Sequence, residues 1–423
     1  AEPAPQGWRA HLQAGWRAQW IATLGLAPLS LLFFQQISLV GLLANLIAIP
    51  LVSLVITPLA LAGAVLPLLW QWDVYCIDLL HAVLRGLQSL PGAVQWLPVA
   101  PLWAQGLGLL GGVLAVLPLP WRVRVCAPLL ALGLLWPAVP RPLEGVFELI
   151  APDVGQGMAV WVRTRRHSLL FDAGPQWGPR SDAGQRVLLP LLRARGEARL
   201  DVLLLSHRDA DHVGGAASLL AAEPVAELLS SLAPGHPLLA QVPNRRCEAG
   251  QQWQWDGVHF EVLAPTADDY LRANKSNAVS CVLRIVDAAG HAALLAGDIE
   301  ATQELALLAR AQTVRSEMLL VPHHGSKTSS TEAFLRAVGP RLALVQAGYR
   351  NRFGHPALAV MARYQALGIT VFESPSCGAW TWASADASPQ CQRELGRRYW
   401  HERQTRRVPA DRPDVWDAGA AEG

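Results

Sequence analysis

The sequence predicts a helical transmembrane region followed by an α/β domain. Three observations carry this: a first third almost free of charge, a change after Leu143 to short apolar runs separated by turn residues, and several such runs that end in a histidine or a carboxylate. Of 423 residues, 52% are hydrophobic and only 16% charged, against roughly a quarter charged in ordinary soluble proteins. Basic and acidic residues nearly cancel, 35 against 33. That balance excludes a chain that holds nucleic acid by bulk positive charge. The apolar content excludes disorder, and six cysteines in this length exclude a disulfide scaffold.

Residues 1–140 hold five of the 35 basic residues (Arg9, Arg17, Arg85, Arg122, Arg124) and three of the 33 acidic ones (Glu2, Asp73, Asp78), leaving 30 of each in 141–423. No charge occurs at the 55 positions between Arg17 and Asp73, nor at the 36 between Arg85 and Arg122. A membrane-crossing helix needs about 20 mostly apolar residues. The pattern predicts about four spans, at 20–34, 49–69, 97–117 and, shorter, 125–139. Residues 35–38 and Asn45 predict an interfacial or re-entrant stretch, and 74–90, with Asp78, His81, Arg85 and Gln88, an amphipathic helix on the surface. Prolines at 50, 58, 67, 98, 101 and 118 would break soluble helices, but neighbouring helices in lipid re-satisfy the freed backbone groups. Trp20, Trp70, Trp72, Trp96, Trp103, Trp121 and Trp136 fall near the expected span ends, where interfacial aromatics sit. The competing reading is the buried helical core of a large soluble protein, but polar faces are missing. The start has neither an initiator Met nor the basic segment of a signal peptide, so the chain reads as the C-terminal piece of something longer. Its few arginines show no consistent bias, which leaves orientation open.

In the second part, strands are expected at 160–162, 168–171, 202–205, 292–296, 319–321, 342–345 and 369–372, with helices at 213–222, 299–310, 331–338 and 357–367. Continuous apolar strands alternating with helices predict sheets covered by helices. Asp172, His207, Asp298 and His323 each follow such a strand, and loops that leave rigid strand ends can converge on one spot.

The densest cluster is Ser206-His207-Arg208-Asp209-Ala210-Asp211-His212-Val213-Gly214-Gly215, with four metal-competent side chains in six residues. Two carboxylates packed together are costly without a cation between them. The glycines let the backbone turn tightly into a helix. A solvated acidic loop is the simpler reading of this segment alone, but Asp298 and His323-His324 weigh against it.

His-x-Asp-x-Asp-His followed by Gly-Gly resembles the metallo-β-lactamase-fold signature, His-x-His-x-Asp-His, and departs from it at Asp209. Five further stretches accompany it: Asp-Val-Gly-Gln-Gly at 153–157, Phe-Asp-Ala-Gly-Pro at 171–175, Ser-Asn-Ala-Val-Ser at 276–280, Ala-Gly-Asp at 296–298 and Pro-His-His-Gly-Ser-Lys at 322–327. With Gly-His-Pro at 354–356, this set is similar to the C-terminal domain of ComEC-type DNA-uptake proteins. Residues 28–34 and 44–50 resemble that family's competence transmembrane region, so the resemblance covers about 15–400. It implies a competence region over 1–142, a four-layer αββα sandwich over 143–395 and an Arg-rich tail over 396–423. It also implies a multi-pass inner-membrane channel that passes single-stranded DNA into a bacterial cell during natural transformation. A metal-dependent nuclease domain on the extracytoplasmic side would degrade the complementary strand. Membrane lipid, other DNA-uptake proteins and a second copy of the chain are the further partners.

Carried onto this sequence, His207 and Asp209 would hold one divalent ion, Asp211 and His212 the other, Asp298 would bridge them and His323 would complete the ligands of the second ion. Such a pair of ions activates water and stabilises the attacking and leaving oxygens of a phosphodiester. Asp209 in place of an imidazole tilts the preference toward harder ions, manganese or magnesium, with zinc retained as a candidate. Asp211 also orients the nucleophile. His236, His259 and His291 read as structural residues rather than ligands. His324, Ser326 and Lys327 precede a helix whose start, Ser-Ser-Thr-Glu at 329–332, is a capping-box pattern, a natural phosphate seat. Ordinary capping chemistry is the plainer account. His355 is expected to protonate the leaving oxygen or bind phosphate, and Asn277 and Ser280 to line the cleft. Cys377 and Cys391 can pair in an oxidising compartment. Arg393 to Arg407 with Trp400 reads as a DNA-contact segment or a solvated helix. Two other functions fit the residues: the same channel with a domain that guides DNA without cutting, and a membrane-tethered hydrolase of small substrates.

Overall fold

The near charge-free first third folds into helices, in a computed structural model of the chain that describes residues 7–310 and 313–399. The Arg-rich segment from residue 400 onward, Trp400 included, lies outside the described residues. The chain divides into two compact units: one of residues up to Pro140 together with Leu188–Arg199, the other of Arg141–Val187 and the chain from Leu200 on.

In the helical unit, Trp8–Phe34 ends where Gln35 turns left-handed, φ 53°, and its N–H reaches the Leu31 carbonyl. Gly41–Leu51 runs on through a π-helical stretch, Val52–Ile56, into Thr57–Gly63. Pro50 lies two residues before that stretch, the kind of local adjustment by which an apolar helix accommodates proline. Two segments are long and apolar enough to cross a membrane, Gln13–Phe34 and Gly41–Gly63, while Leu102–Val116 is apolar but shorter. The second span therefore starts at Gly41 rather than at 49, and Asn45 lies inside a helix rather than in an interfacial stretch. The expected stretch shrinks to Gln36–Ser38, which pairs antiparallel with Val94–Trp96. The amphipathic segment belongs to Leu68–Gln88, whose buried Asp73 and Leu80 lie two turns apart on one face.

Three helices meet on glycine. On Leu102–Val116, a Cβ at Gly108 would come 2.5 Å from Leu134 Cδ2, one at Gly111 2.7 Å from the Ala127 carbonyl oxygen, and one at Gly112 2.7 Å from Pro28 Cγ. Small residues are what let apolar helices approach this closely. Leu189–Ala194 also packs in this unit, its Ala194 carbonyl accepting from Val99 N–H at 2.9 Å and Arg193 lying 4.2 Å over the Trp96 ring.

The second unit is built on two large sheets. One runs Asn244–Arg246, Val225–Ser230, Leu200–Leu205, Ser168–Phe171, Val160–Arg163, Glu148–Ala151, Trp380–Ala383, Gln390–Cys391. The other runs Gln252–Trp255, Val258–Ala264, Val282–Val286, Ala292–Leu295, Met318–Leu320, Leu342–Val345, Thr370–Glu373. One core cluster joins inward residues of both sheets, among them Phe147, Phe171, Leu204, Phe260, Leu283, Leu320, Trp380 and Trp382. A second packs the outer face of the seven-stranded sheet against the helices Ala301–Ala309, Glu332–Val338 and Leu358–Ala366 through Leu307, Phe334, Val360 and Tyr364. Helices Ala210–Val213 and Ala216–Ala222 follow Leu200–Leu205, the third strand in from one edge of the eight-stranded sheet. The result is the expected αββα layering, with all seven expected strands in place.

Strand direction positions the chemistry. Ser168–Phe171, Leu200–Leu205 and Val225–Ser230 are parallel in one sheet. Ala292–Leu295, Met318–Leu320 and Leu342–Val345 are parallel in the other. The loops that bear Asp172, His207, Asp298 and His324 all leave the carboxyl ends of these strands. Two disulfides, Cys377–Cys391 and Cys247–Cys281, lie in this unit, and Cys76 and Cys126 of the helical unit are free thiols.

Candidate metal centre

The centre is organised around one carboxylate. Asp298 Oδ2 lies 3.2 Å from His212 Nε2, 3.7 Å from His324 Nε2, 3.8 Å from His323 Nε2 and 4.0 Å from His207 Nε2. Asp211, His212, Asp298 and His324 bring one ligand atom each within 4.8 Å of one another. Asp209 stands beside them, its Oδ2 3.4 Å from His207 Nε2.

The three buried imidazoles are each fixed from behind. Asp172, fully buried, accepts from His212 Nδ1 at 2.7 Å, from Ser206 Oγ at 2.7 Å and from Ser206 N–H at 2.6 Å. His207 Nδ1 lies 3.0 Å from Ser206 Oγ and 3.2 Å from Ser280 Oγ. His324 Nδ1 donates to the Gln346 carbonyl at 2.6 Å. In each ring the Nδ1 side is thus held, and Nε2 is left facing the centre. The buried atoms His207 Nε2, His212 Nε2, His324 Nε2 and Asp298 Oδ1 have no hydrogen-bond partner. Four such atoms converging in one place would be expensive in a purely structural cluster. The set fits divalent cations: an imidazole whose far nitrogen is anchored is the usual arrangement of a metal-ligating histidine.

The electrostatics agree. Burial opposes ionisation of Asp298, yet the imidazoles of His212, His324 and His207 outweigh it and hold the carboxyl well below its ordinary range. Burial likewise opposes Asp211, but His324 and His212 bring it to about 2. The hydrogen bond with His207 is the main reason that Asp209 is lowered. Burial disfavours protonated His212 and His324, but Asp298, with Asp172 beside the first and Asp211 beside the second, raises both above the usual value. Negative charge that attracts protons this strongly is charge that a cation satisfies instead.

Not every expected residue lies where the sequence suggested. His324, not His323, joins the four-residue group. His323 faces Asn277 Nδ2 at 3.4 Å on one nitrogen and Thr328 Oγ1 at 3.3 Å and Glu300 at 3.4 Å on the other. Both histidines are left-handed, φ 50° and 54°, so strand periodicity does not assign their directions. Ser280 is buried behind the ligands, its Oγ accepting from Asp298 N–H at 3.0 Å, rather than lining a cleft. Asn277 reaches the rim through His323. Ser326 bonds within its own turn, to Thr328 Oγ1 at 3.1 Å, and Lys327 is exposed. The following helix starts only at Glu332, with Thr331 as its cap, and Glu304 already takes the Ser330 and Thr331 N–H groups. The expected phosphate seat is therefore occupied by capping chemistry. His355 stacks on His324, centroids 6.3 Å apart and planes at 18°. Burial and the neighbouring His324 and His323 lower its pKa, which favours the neutral ring over the proton donor expected.

His236, His259 and His291 lie away from the centre: His236 caps Leu238 N–H, His259 sits in Val258–Ala264 and His291 pairs with Glu317 at 3.0 Å. Sequence reasoning passed over the supporting roles of Asp172, Ser206, Glu300 and Gln346. Asp172 had a signal, a strand end followed by Ala-Gly-Pro; the Gln346 contact is made by a carbonyl and has none.

Residues 1–146 match the Competence protein family and residues 152–243 the metallo-beta-lactamase superfamily. The chain is 35% identical over 400 residues to Competence protein ComA of Neisseria gonorrhoeae, covering 92% of this chain and 55% of that one. Most of the chain therefore aligns with competence proteins of the ComEC type, through a competence-family region followed by a metallo-beta-lactamase region. ComE operon protein 3 of Bacillus subtilis is 27% identical over 408 residues, covering 85% of this chain and 50% of that one. The chain thus spans about half the length of the curated relatives it matches. Among solved structures, the metallo-beta-lactamase fold protein YhfI from Bacillus subtilis aligns with 56% of this chain and 99% of its own at 11% identity and a TM-score of 0.37. In ComEC-type terms, the helical unit is the competence region, and the αββα unit carries the metallo-β-lactamase fold.

Proposed function

We propose that this chain is part of a bacterial inner-membrane DNA-uptake channel whose αββα unit hydrolyses phosphodiester bonds of the strand that does not enter. One observation carries the enzymatic part: four buried, unpartnered donor atoms of His207, His212, Asp298 and His324 converge between the two sheets' strand ends. In this reading His207 and Asp209 would hold one divalent ion and Asp211, His212 and His324 the other, with Asp298 available to both. His324 takes the place that the sequence suggested for His323. When bound, two such cations supply Lewis acidity to a phosphodiester and lower the pKa of water; manganese, zinc and magnesium all suit a mixed imidazole and carboxylate set.

The chain's own groups do the rest. Asp172, Ser206 and Ser280 orient the rings, so the ligands are set before substrate arrives. Asp211, one-third exposed, is the carboxylate placed to orient a nucleophile at the open side by accepting its hydrogen bond. His355, neutral and stacked on His324, is placed as a proton acceptor. An extracytoplasmic face for this unit fits its two disulfides, which persist in oxidising compartments. Single-stranded DNA, membrane lipid, other uptake proteins and a second copy of the chain remain the proposed partners.

The test is hydrolysis of labelled DNA by the full chain in detergent with manganese, wild type against Asp298→Ala. Loss of the shared carboxylate should cost more than the ~100-fold that the outer partners of a metal ligand contribute. Cleavage that persists in chelator, or in Asp298→Ala, refutes the metal mechanism. DNA binding without any cleavage favours a domain that guides the strand.

A further inference from the structure

The loop after Leu342–Val345 carries exposed rings that no part of the proposed chemistry uses. Tyr349 is 60% exposed and Phe353 54%, in a unit whose other large rings are mostly buried. Both carry a guanidinium: Arg350 lies 5.2 Å over Tyr349 and Arg352 4.9 Å over Phe353. The Phe353 ring stacks on His355, centroids 5.8 Å apart and planes at 25°, and His355 stacks in turn on His324. A ladder of flat groups therefore leads outward from the candidate metal centre: His324, His355, Phe353, Arg352.

The ladder is held in place by its own loop. Asn351 Oδ1 accepts from Phe353 N–H at 3.1 Å and from His355 N–H at 3.0 Å, and its Nδ2 donates to the Gly348 carbonyl at 2.9 Å. Gly348 N–H donates to Gln156 at 3.0 Å. Next to Gln156, Gly155 lies beside a third exposed ring, Trp177, whose Nε1 would be 3.8 Å from a Cβ there. Aromatic faces and guanidinium planes at the surface, rigidly presented and mixed with positive charge, are the recurrent means of holding unpaired bases. A duplex keeps its base faces stacked on one another and offers this surface only phosphates.

We propose that Phe353 and Tyr349, with Arg352 and Arg350, form a stacking platform for unpaired bases of single-stranded DNA whose backbone passes the metal centre. The inference deepens the phosphodiesterase reading above and rests on it for the placement of the phosphate. It makes the enzyme unit selective for single strands by base stacking, without reading sequence.

The test measures binding of fluorescent oligodeoxythymidylate and of an abasic strand of equal length to the full chain in detergent, with chelator present so that strands stay intact. Wild type should bind the base-bearing strand ~10-fold more tightly, the usual size of one or two stacked bases. The double substitution Phe353→Ala with Tyr349→Ala should bring the ratio to near one, and Phe353→Trp should keep it. Equal binding of the two strands by wild type, or an unchanged ratio in the double variant, overturns the platform. Manganese-dependent cleavage is scored separately. Base preference without cleavage rejects the nuclease reading alone, and cleavage without base preference rejects the platform alone.

Discussion

The two units solve packing by opposite means. In the αββα unit large side chains fill the space between layers: Trp161, Trp380, Trp382, Phe147 and Phe260 are all fully buried. In the helical unit many large side chains point outward, and helices come close where a side chain is missing, at Gly63, Gly108, Gly111 and Gly112. Water drives the first arrangement, because burying apolar area is what stabilises it. Lipid removes that drive, and van der Waals fit between small residues takes its place. Within the αββα unit, four buried atoms without a hydrogen-bond partner, on His207, His212, Asp298 and His324, fall at one centre, and that convergence marks function rather than misfit.

The largest expected effect sharpens that point at the centre itself. His324→Ala removes a ring that is buried, anchored by the Gln346 carbonyl and aimed at Asp298. Manganese affinity, read by calorimetry on the full chain, should fall about 100-fold or more, since even outer partners of a metal ligand are worth about 10–100-fold. His323→Ala, next in sequence but turned toward Asn277 and Thr328, should cost less than about tenfold. Equal losses in the two variants would remove the distinction drawn between them.

That pair also shows where the sequence stops being legible. Continuous apolar strands such as Ser168–Phe171 and Leu342–Val345 are readable because burial on both faces leaves a run with no polar interruption. Strands of mixed pattern were missed: Gln252–Trp255 alternates exposed and half-buried residues at a sheet edge, and Val258–Ala264 carries His259 and Glu261 on its outer face. At the site, the residue types and strand ends that form the centre are visible, because function needs carboxylates and imidazoles at rigid positions. Direction is not. That His324 rather than His323 is the buried member of the four-residue group depends on two consecutive left-handed residues, which no periodicity describes. Ser280 reads as a cleft residue for the same reason: its hydroxyl is committed to His207 and the Asp298 N–H by tertiary contacts alone.

A middle-sized effect tests the glycine packing. Gly111→Val would place a side chain 2.7 Å from a backbone carbonyl that has no rotamer to give. The helices must separate, at about 1–3 kcal/mol as for other overpacked cores. Gly106→Val, on the same helix with nothing within 4 Å of its Cβ, is the control. Thermal unfolding of the detergent-solubilised chain should shift for Gly111→Val and not for Gly106→Val. A matching shift in both would mean that helix propensity, not close approach, governs the unit.

A pair of substitutions, one of which should change almost nothing, separates the two solvents. Leu54 is 75% exposed in the apolar segment Gly41–Gly63. On a water-facing helix, truncating such a leucine would remove an exposed apolar group and change stability little or favourably. In lipid the side chain is already in an apolar medium, so Leu54→Ala should lie within about ±0.5 kcal/mol, like surface substitutions generally. The discriminating variant is Leu54→Asp. In lipid an unpaired carboxylate near a helix centre costs about 2.5–3.5 kcal/mol on insertion scales, and membrane-integrated yield after carbonate extraction should fall while Leu54→Ala stays at the wild-type level. A water-facing Leu54 would accept the aspartate with unchanged yield, and the reading of Gly41–Gly63 as a span would then fail on its own residue.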